Sequence, residues 1–249
     1  MKAAPAEILA RYKQLRAVQR AVNGVLTKTL SRKAIEETAR RVGLWEGGRI
    51  VFDDEREVDV LNDAAIYDYF PSGKKNAVER HASQDPYEPG SDERLVLEAM
   101  GVARVTLVEL GTIVRDVGVL ANDIVFGGDL LLADVGLSET AQQGMVLVTR
   151  LLEFEAFSMT TGVARDFDPE LAVVVAKSFR ETVIRGVPAG ALDAKTRSRL
   201  GRLLFHFSSL EPDDAHMQLA GVAAAGLPEG DPRRAAFQRE LARRQEEAT

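Results

Sequence analysis

Apolar positions recur with the period of an α-helix through most of the first hundred residues. Between Pro5 and about Thr29 they follow one another at steps of three and four, which places them on one stripe of a helix. The stripe consists of Ile8, Tyr12, Leu15, Val18, Val22, Val25 and Leu26. Residues typical of helix N-caps precede three further helical patterns: Ser31, Asp53 or Asp54, and Ser91. Residues 1–101 are therefore predicted to form a mostly helical N-terminal region.

The pattern changes at about residue 102 to short apolar runs separated by glycines. Strands are predicted at Arg104–Leu110, Ile113–Asp116, Asp123–Phe126, Leu130–Asp134 and Met145–Met159. The last of these runs is long enough to bend or to be two strands. The three residues Gly127-Gly128-Asp129 between apolar runs indicate a hairpin turn. Residues 102–165 are therefore predicted to form a small β module, either an antiparallel sheet or a barrel.

Helical periodicity returns after Phe167. Asp168-Pro169 is an N-cap followed by a proline in the first helical position, and Ala191–Ser209 has a further apolar helix face. Residues 166–249 are predicted to be C-terminal helices. No linker is long or polar enough to separate domains, so the three regions are expected to pack as one unit. The predicted fold class is α+β, with a helical N-terminus, a central small antiparallel β sheet or barrel, and a helical C-terminus.

Charge is distributed unevenly along the 249 residues, whose formal net charge is −6. Residues 1–49 carry 11 Lys and Arg against 4 Asp and Glu, whereas residues 50–100 carry 5 against 13. Such asymmetry is typical of a nucleic-acid surface, but it also arises when two segments dock on each other. The basic N-terminus therefore has two interpretations, and the sequence does not choose between them.

The absence of cysteine excludes disulfides, Cys-ligated zinc, iron–sulfur clusters and cysteine nucleophiles. The spacing of His81, His206 and His216 is poor for a metal site, and no phosphate-binding or dinucleotide motif is present. No cofactor is therefore expected. The first residues lack the apolar core of a signal peptide, and no apolar run approaches the length that crosses a bilayer. We expect a cytoplasmic protein without a membrane partner.

Two segments together resemble a group of bacterial proteins of unassigned function. Residues 66–81 read IYDYFPSGKKNAVERH, and residues 128–162 read GDLLLADVGLSETAQQGMVLVTRLLEFEAFSMTTG. In the similar proteins a "YDY…G.NAVER" segment precedes a small β module, and some relatives carry a Cys-rich SEC-C zinc motif. That motif is absent here because the chain has no cysteine. The resemblance covers about residues 45–165 and implies no activity and no catalytic residues.

The densest group of polar and aromatic residues lies in the fifteen residues that begin at Tyr67. It comprises Tyr67, Asp68, Tyr69, Lys75, Asn76, Arg80 and His81. If the segment from Lys75 onward is helical, Asn76 and Arg80 share one face at positions i and i+4. An arginine fork on that face suits an anionic ligand or substrate. The alternative is structural, an ion pair between Arg80 and Asp68 that ties the helix to the preceding turn.

Three classes of function are compatible with these features. The preferred one is a non-enzymatic protein-binding or interaction module, because no catalytic motif is present and Phe205 points away from the apolar face of its helix. Such a helix is either buried on both sides or offers Phe205 to a partner. A protein partner or self-association follows from the preferred class. The second is nucleic-acid binding by the basic N-terminal helices, where Lys13, Arg16 and Arg20 are predicted on the solvent side. The third is an enzyme that acts on an anionic substrate at the cluster that begins at Tyr67.

Overall fold

The computed structural model describes residues 4–184, 186–208 and 210. The predicted helices beyond Leu210, and His216 with them, lie outside the described residues. The first half of the described chain is helical. Its elements are α1 (Pro5–Lys28), α2 (Arg32–Arg41), the two-residue strands β1 (Trp45–Glu46) and β2 (Arg49–Ile50), α3 (Arg56–Tyr67), α4 (Ala77–Ala82) and α5 (Asp92–Val102).

Local sequence explains the helix boundaries. The Ser31 hydroxyl accepts a hydrogen bond from the Ala34 amide at the start of α2, and Ser91 does the same for Arg94 at the start of α5. The expected cap at Asp53 or Asp54 is displaced, because α3 begins two residues later, after Glu55. The predicted apolar stripe of α1 is largely buried, although Val25 is exposed.

Five strands form a closed barrel in the order β3-β4-β5-β7-β6. They are β3 (Arg104–Val114), β4 (Gly118–Asp123), β5 (Asp129–Ala133), β6 (Val146–Glu153) and β7 (Ser158–Phe167), and the short helix α6 (Val135–Thr140) follows β5. All neighbouring strands are antiparallel except β5 and β7, which pair in parallel where Leu132 faces Ser158. The predicted α+β fold with a central β module is confirmed, and the module is a barrel.

The strand prediction at Asp123–Phe126 is wrong in its last three residues. Oδ1 of Asp123 accepts hydrogen bonds from the amides of Val125 and Phe126, which turns the chain immediately after β4. The apolar residues that suggested a strand lie in this turn, with Val125 buried against the C-terminal helices. The long predicted strand Met145–Met159 is divided, as one of its two interpretations allowed, into β6 and the first two residues of β7. The rest of β7, up to Phe167, was not predicted as a strand.

The last helices pack on the outside of the barrel. α7 (Pro169–Phe179) begins at Asp168, whose side chain accepts from the Leu171 amide, and it continues into a π-helical turn, Arg180–Ile184. α8 (Ala194–Phe207) lies close to β3 at Gly201. A Cβ at this position would lie only 2.7 Å from a methyl of Val105, so the glycine permits the close approach. Apolar residues of both helices join the outer barrel face in one core cluster.

The N-terminal helices cover another part of the barrel surface. Ile8, Leu15 and Leu26 of α1 belong to a buried cluster with residues of α5 and of the barrel strands. A separate cluster, which includes Leu132 and Leu151, fills the barrel interior. No helix in the described part of the chain is long and apolar enough to cross a membrane.

Candidate ligand-binding site

A buried arginine joins α3 to the barrel. Arg150 of β6 is only 2% exposed, and its Nε and an Nη contact one oxygen of Asp63 at 2.9 Å and one of Asp68 at 2.7 Å. Its guanidinium carbon also lies 4.4 Å from the centre of the buried Tyr67 ring. Leu151, the next residue, points into the barrel interior, so Arg150 points outward beneath the helices. The two carboxylates, the guanidinium and the phenol form a single group, which we call the Arg150 cluster.

The local sequence sets the positions of the two carboxylates. Asp63 lies within α3, and Asp68 is the residue at which this helix ends. Asn76 fixes that end of the helix, because its Nδ2 donates to the backbone carbonyl of Tyr67 at 2.9 Å. Its Oδ1 caps α4 by accepting from the Glu79 amide. The loop between α3 and α4 is therefore held from both sides, and Asp68 is held with it.

The Arg150 cluster has more negative than positive formal charge. Two carboxylates share one guanidinium, and all three side chains are buried. Burial raises the pKa of Asp68 and outweighs the favourable effect of Arg150, while the neighbouring Asp63 raises this pKa further. Burial also raises the pKa of the Tyr67 hydroxyl, whose oxygen has no hydrogen-bond partner among the described residues.

The remaining oxygens of the two carboxylates are unpaired. Oδ1 of Asp63 and Oδ1 of Asp68 are buried, and neither forms a hydrogen bond of good geometry within the described part of the chain. The Ser198 hydroxyl is a further donor nearby, since it lies close enough to the Asp68 carboxylate to lower the pKa of Asp68. Each carboxylate therefore uses one oxygen to bind Arg150 and leaves the other unused. A buried acceptor without a donor has lost its hydration without compensation, which typically costs about 1–3 kcal/mol. Such a cost indicates a place where a hydrogen-bond donor would bind favourably.

The Arg150 cluster adjoins a cleft of about 340 Å³ between α2, α3, β7 and α8. We call it the arginine cleft, because four of its lining residues are Arg40, Arg41, Arg165 and Arg202. The rest of the lining consists of Phe205, His206, several small apolar side chains, Asp63 and Asp68. The two carboxylates are each 8% exposed, so they lie at its inner wall. The four arginines are at least partly exposed and lie nearer its opening. The cleft thus has cationic groups outside and anionic groups inside.

The arginines of the cleft differ in how firmly they are engaged. Arg40 and Arg41 pair with Glu36 and Glu37 at 3.9 and 3.5 Å, and the Arg40 guanidinium also stacks on Trp45 with 4.1 Å between its carbon and the ring centre. Exposed pairs within one helix are weak, about 0.3–0.5 kcal/mol each. Arg165 and Arg202 form no ion pair with another described residue. Within the described part of the chain, no carboxylate therefore holds the guanidinium groups of Arg165 and Arg202, and only weak pairs hold those of Arg40 and Arg41.

The structure divides the cluster predicted from Tyr67 to His81 among different environments. Tyr67 and Asp68 belong to the Arg150 cluster, and Tyr69 is buried beneath the Arg41 guanidinium. His81 instead contacts the Tyr87 hydroxyl at 3.2 Å. The sequence had indicated one site, whereas only Asp68 of this group lines the arginine cleft.

Arg80 does not form the predicted ion pair with Asp68. Its guanidinium donates to the Lys75 carbonyl at 3.0 Å, while Asp68 binds Arg150. Asn76 and Arg80 do not share a helix face either, because Asn76 is the cap that precedes α4. Lys75 and Arg80 line a separate, wider surface depression together with Lys74 and Lys195. As an anion site, this depression stays a prediction.

Among the predicted partner-binding residues, Arg16 is not on the solvent side. It is 9% exposed, and it donates to the Thr160 carbonyl at 2.6 Å, where β7 extends beyond its pairing with β5. Lys13 and Arg20 are exposed as expected. Phe205 is partly buried, packs against the apolar cluster of the C-terminal helices and lines the arginine cleft. On the same helix, Leu203 is 44% exposed although it is apolar.

Sequence reasoning missed Asp63, Arg150 and the four arginines of the cleft. One signal was available, because Arg150 is a lone charge within an otherwise uncharged strand, β6 before Glu153. A charge in such a strand requires a buried partner. The arginines come from α2, β7 and α8, and nothing in their spacing along the chain predicts that they meet.

Comparison with known families gives one match. The model of a family of unknown function, DUF7986, matches residues 6–185, which is most of the chain. The chain belongs to this family. The match includes both segments that carry the resemblance noted in the sequence, and it includes the Arg150 cluster. Arg202 and Phe205 lie beyond it. No curated protein and no solved structure matches the chain, so no activity transfers from a relative.

Proposed function

We propose that this member of DUF7986 is a non-enzymatic binding protein that recognises an acidic segment of a partner protein in the arginine cleft. The observation that carries this proposal is the convergence of Arg40, Arg41, Arg165 and Arg202 on one cleft of about 340 Å³. Guanidinium groups bind carboxylates through two parallel hydrogen bonds, and such charge-assisted bonds are about twice as strong as neutral ones. An acidic peptide is the ligand that matches this set of donors.

The apolar part of the lining favours a peptide over a simple ion. Phe205 is partly buried at the cleft, and Val42, Val60 and Val163 complete an apolar wall. An inorganic anion would leave this wall uncovered, whereas the aliphatic part of an acidic side chain and the adjoining backbone would cover it. Burial of such groups adds a hydrophobic contribution of about 25 cal/mol per Å² of apolar surface.

Pairing within the protein argues for a protein ligand and against nucleic acid. All four cations of α2 form ion pairs with Glu36 or Glu37 in the same helix. In α1, Arg11 pairs with Asp92, and Arg16 is buried. Among the described residues, these acidic partners offset part of the positive charge of the N-terminal surface, which reduces its attraction for a phosphate backbone. Nucleic-acid binding needs many phosphate contacts and declines steeply with salt.

The fluorescence of Trp45 can report on binding, because it is the sole tryptophan of the chain and Arg40 stacks on it. We expect the free tetrapeptide Asp-Asp-Ala-Gly amide to change this fluorescence with a saturable dependence on concentration. The peptide Asn-Asn-Ala-Gly amide has the same shape without carboxylates and should have little effect. If neither peptide binds at about 20 mM salt, where charge interactions are least screened, the proposal is wrong.

Matched variants locate the binding site. The double variant Arg165→Met and Arg202→Met should lower the affinity for the acidic peptide by about tenfold or more, because it removes two donors of charge-assisted hydrogen bonds. Arg32→Met removes a cation of α2 whose side chain is 92% exposed and that does not line the cleft. This control should bind as the wild type does. Equal weakening in both variants would indicate nonspecific attraction to the basic surface, and so would equally tight binding of DNA at about 150 mM salt.

A further inference from the structure

The inner wall of the arginine cleft has a chemistry opposite to that of its opening. The Arg150 cluster holds two carboxylates against one guanidinium, and one oxygen of each carboxylate is buried without a hydrogen bond from a described residue. An acidic side chain satisfies the arginines but offers no donor to these oxygens, and a backbone N–H would bring a single donor without a positive charge. A ligand that suits the whole cleft therefore carries a negative group for the opening and a positive donor for the inner wall.

We propose that the recognised segment is the N-terminus of the partner chain, with an acidic first residue and a free α-amino group. The α-ammonium binds Asp63 and Asp68, and the first side-chain carboxylate binds the arginines near the opening. This inference rests on the proposed function and specifies its ligand. An ammonium group has three N–H donors, so one ammonium can donate to both unpaired oxygens at once.

The size of the cleft favours a chain end. In an N-terminal acidic residue the ammonium and the carboxylate are separated by only a few bonds, so both fit within about 340 Å³. Capture of a terminal amine by buried acceptors is an established mode of peptide recognition. A bound metal is a poorer fit, because no group of three or more His, Asp or Glu side chains in the described ranges is arranged to hold one.

Acetylation of the peptide tests the proposal without any change to the protein. Acetyl-Asp-Asp-Ala-Gly amide keeps both carboxylates and loses only the positive charge and donors of the terminal amine. If charge attraction to the arginines alone decided affinity, the acetylated peptide would bind more tightly, because its net charge is more negative. We expect the opposite, with affinity from Trp45 fluorescence at least about tenfold lower than that of the free peptide, since one charge-assisted bond is worth about 1.5–3 kcal/mol.

The two proposals fail in distinguishable ways. Equal or tighter binding of the acetylated peptide would overturn the N-terminal assignment and leave the acidic-segment proposal standing. Loss of binding by both peptides would overturn both proposals. A free peptide without carboxylates, Ala-Ala-Ala-Gly amide, should bind at least about tenfold more weakly than Asp-Asp-Ala-Gly amide, because it offers nothing to the arginines. Equal affinity for it would overturn the assignment of the first side chain.

Variants of the inner wall link the preference to specific residues. Asp63→Asn and, separately, Asp68→Asn each replace a carboxylate with a neutral amide of the same shape. In each variant, the ratio of the affinity for the free peptide to the affinity for the acetylated peptide should fall by at least about threefold. The affinity for the acetylated peptide should stay within about threefold of the wild-type value. A ratio that stays unchanged in both folded variants would contradict the proposal. Should either variant fail to fold, the comparison of peptides on the wild-type chain still decides the question.

Discussion

Replacement of Arg150 with methionine should destabilise this protein more than any change at an exposed arginine. The substitution keeps much of the side-chain volume but removes the guanidinium that Asp63 and Asp68 both contact, at 2.9 and 2.7 Å. Both carboxylates then remain buried without their cation. Removal of one partner from a buried ion pair typically costs about 3–5 kcal/mol, because the other charge is left uncompensated. We expect a loss in this range at pH 7 in urea unfolding.

The pH dependence of this loss is the sharper test. Burial and the neighbouring Asp63 already raise the pKa of Asp68, and without the guanidinium this pKa should lie still further above the unfolded value of about 3.9. Between these two values the folded state binds more protons than the unfolded state, so stability falls as pH rises through that window. Arg150→Met should therefore be more stable at pH 5 than at pH 7, by up to about 1.4 kcal/mol per pH unit from the Asp68 carboxyl.

Two comparisons complete the test. Arg165→Met removes an arginine without a described ion pair, and it should change stability by about 0.5 kcal/mol or less. The triple variant, which adds Asp63→Asn and Asp68→Asn to Arg150→Met, should recover much of the loss, because the buried charges are then gone. A loss below about 1 kcal/mol for Arg150→Met at pH 7, or the same loss at both pH values, would refute the reasoning.

Three further predictions follow from other contacts. In a titration followed by carboxyl carbon NMR, the pKa of Asp68 should lie above about 3.9 in the wild type and higher still in Arg150→Met. A lower pKa in the variant would contradict the role of Arg150 in lowering the pKa of Asp68. Asn76→Ala removes a helix cap and a buried donor and should cost about 2–3 kcal/mol in urea unfolding. The control Asn122→Ala removes a hydrogen bond to Asp129 at the surface from a half-buried side chain, and it should cost under about 0.5 kcal/mol. Gly118→Ala would place a Cβ 1.9 Å from a backbone oxygen of β5 and should cost about 3 kcal/mol or more. Gly24→Ala in α1 meets no atom within 4 Å and should stabilise the protein by up to about 1 kcal/mol. Thermal unfolding should show a lower melting temperature for the first variant and a higher one for the second.

Local patterns account for the part of this fold that was predictable. The stripe of α1, the caps at Ser31 and Ser91 and the change to short apolar runs near residue 102 each depend on neighbours in the chain. Hydrophobic periodicity and capping are properties of such short windows, so they predict the elements and the fold class. The turn at Asp123 was missed because the side chain of one residue competes with the strand, and apolar content alone does not reveal that competition.

The site depends on contacts between distant segments. Asp63 and Arg150 are 87 residues apart, and Arg16 reaches the backbone of a residue 144 positions away. The sequence placed Asp68 in a candidate site, but it assigned Arg80 as its partner because Arg80 is near in the chain. It also placed Arg16 in solvent from the helical period alone, whereas the backbone carbonyl of Thr160 gives that charge a buried acceptor. Both errors arise because long-range pairing overrides local pattern.

The central claim is that the arginine cleft binds an acidic chain end, and arginine side-chain NMR tests it most directly. The Nε–H signals of the protein would be followed while the free Asp-Asp-Ala-Gly amide is added. We predict saturable shifts for Arg165 and Arg202, which line the cleft, and little change for the exposed Arg32 and Arg56. Small shifts spread evenly over all exposed arginines, or no shift at Arg165 and Arg202 at saturating peptide, would contradict the account.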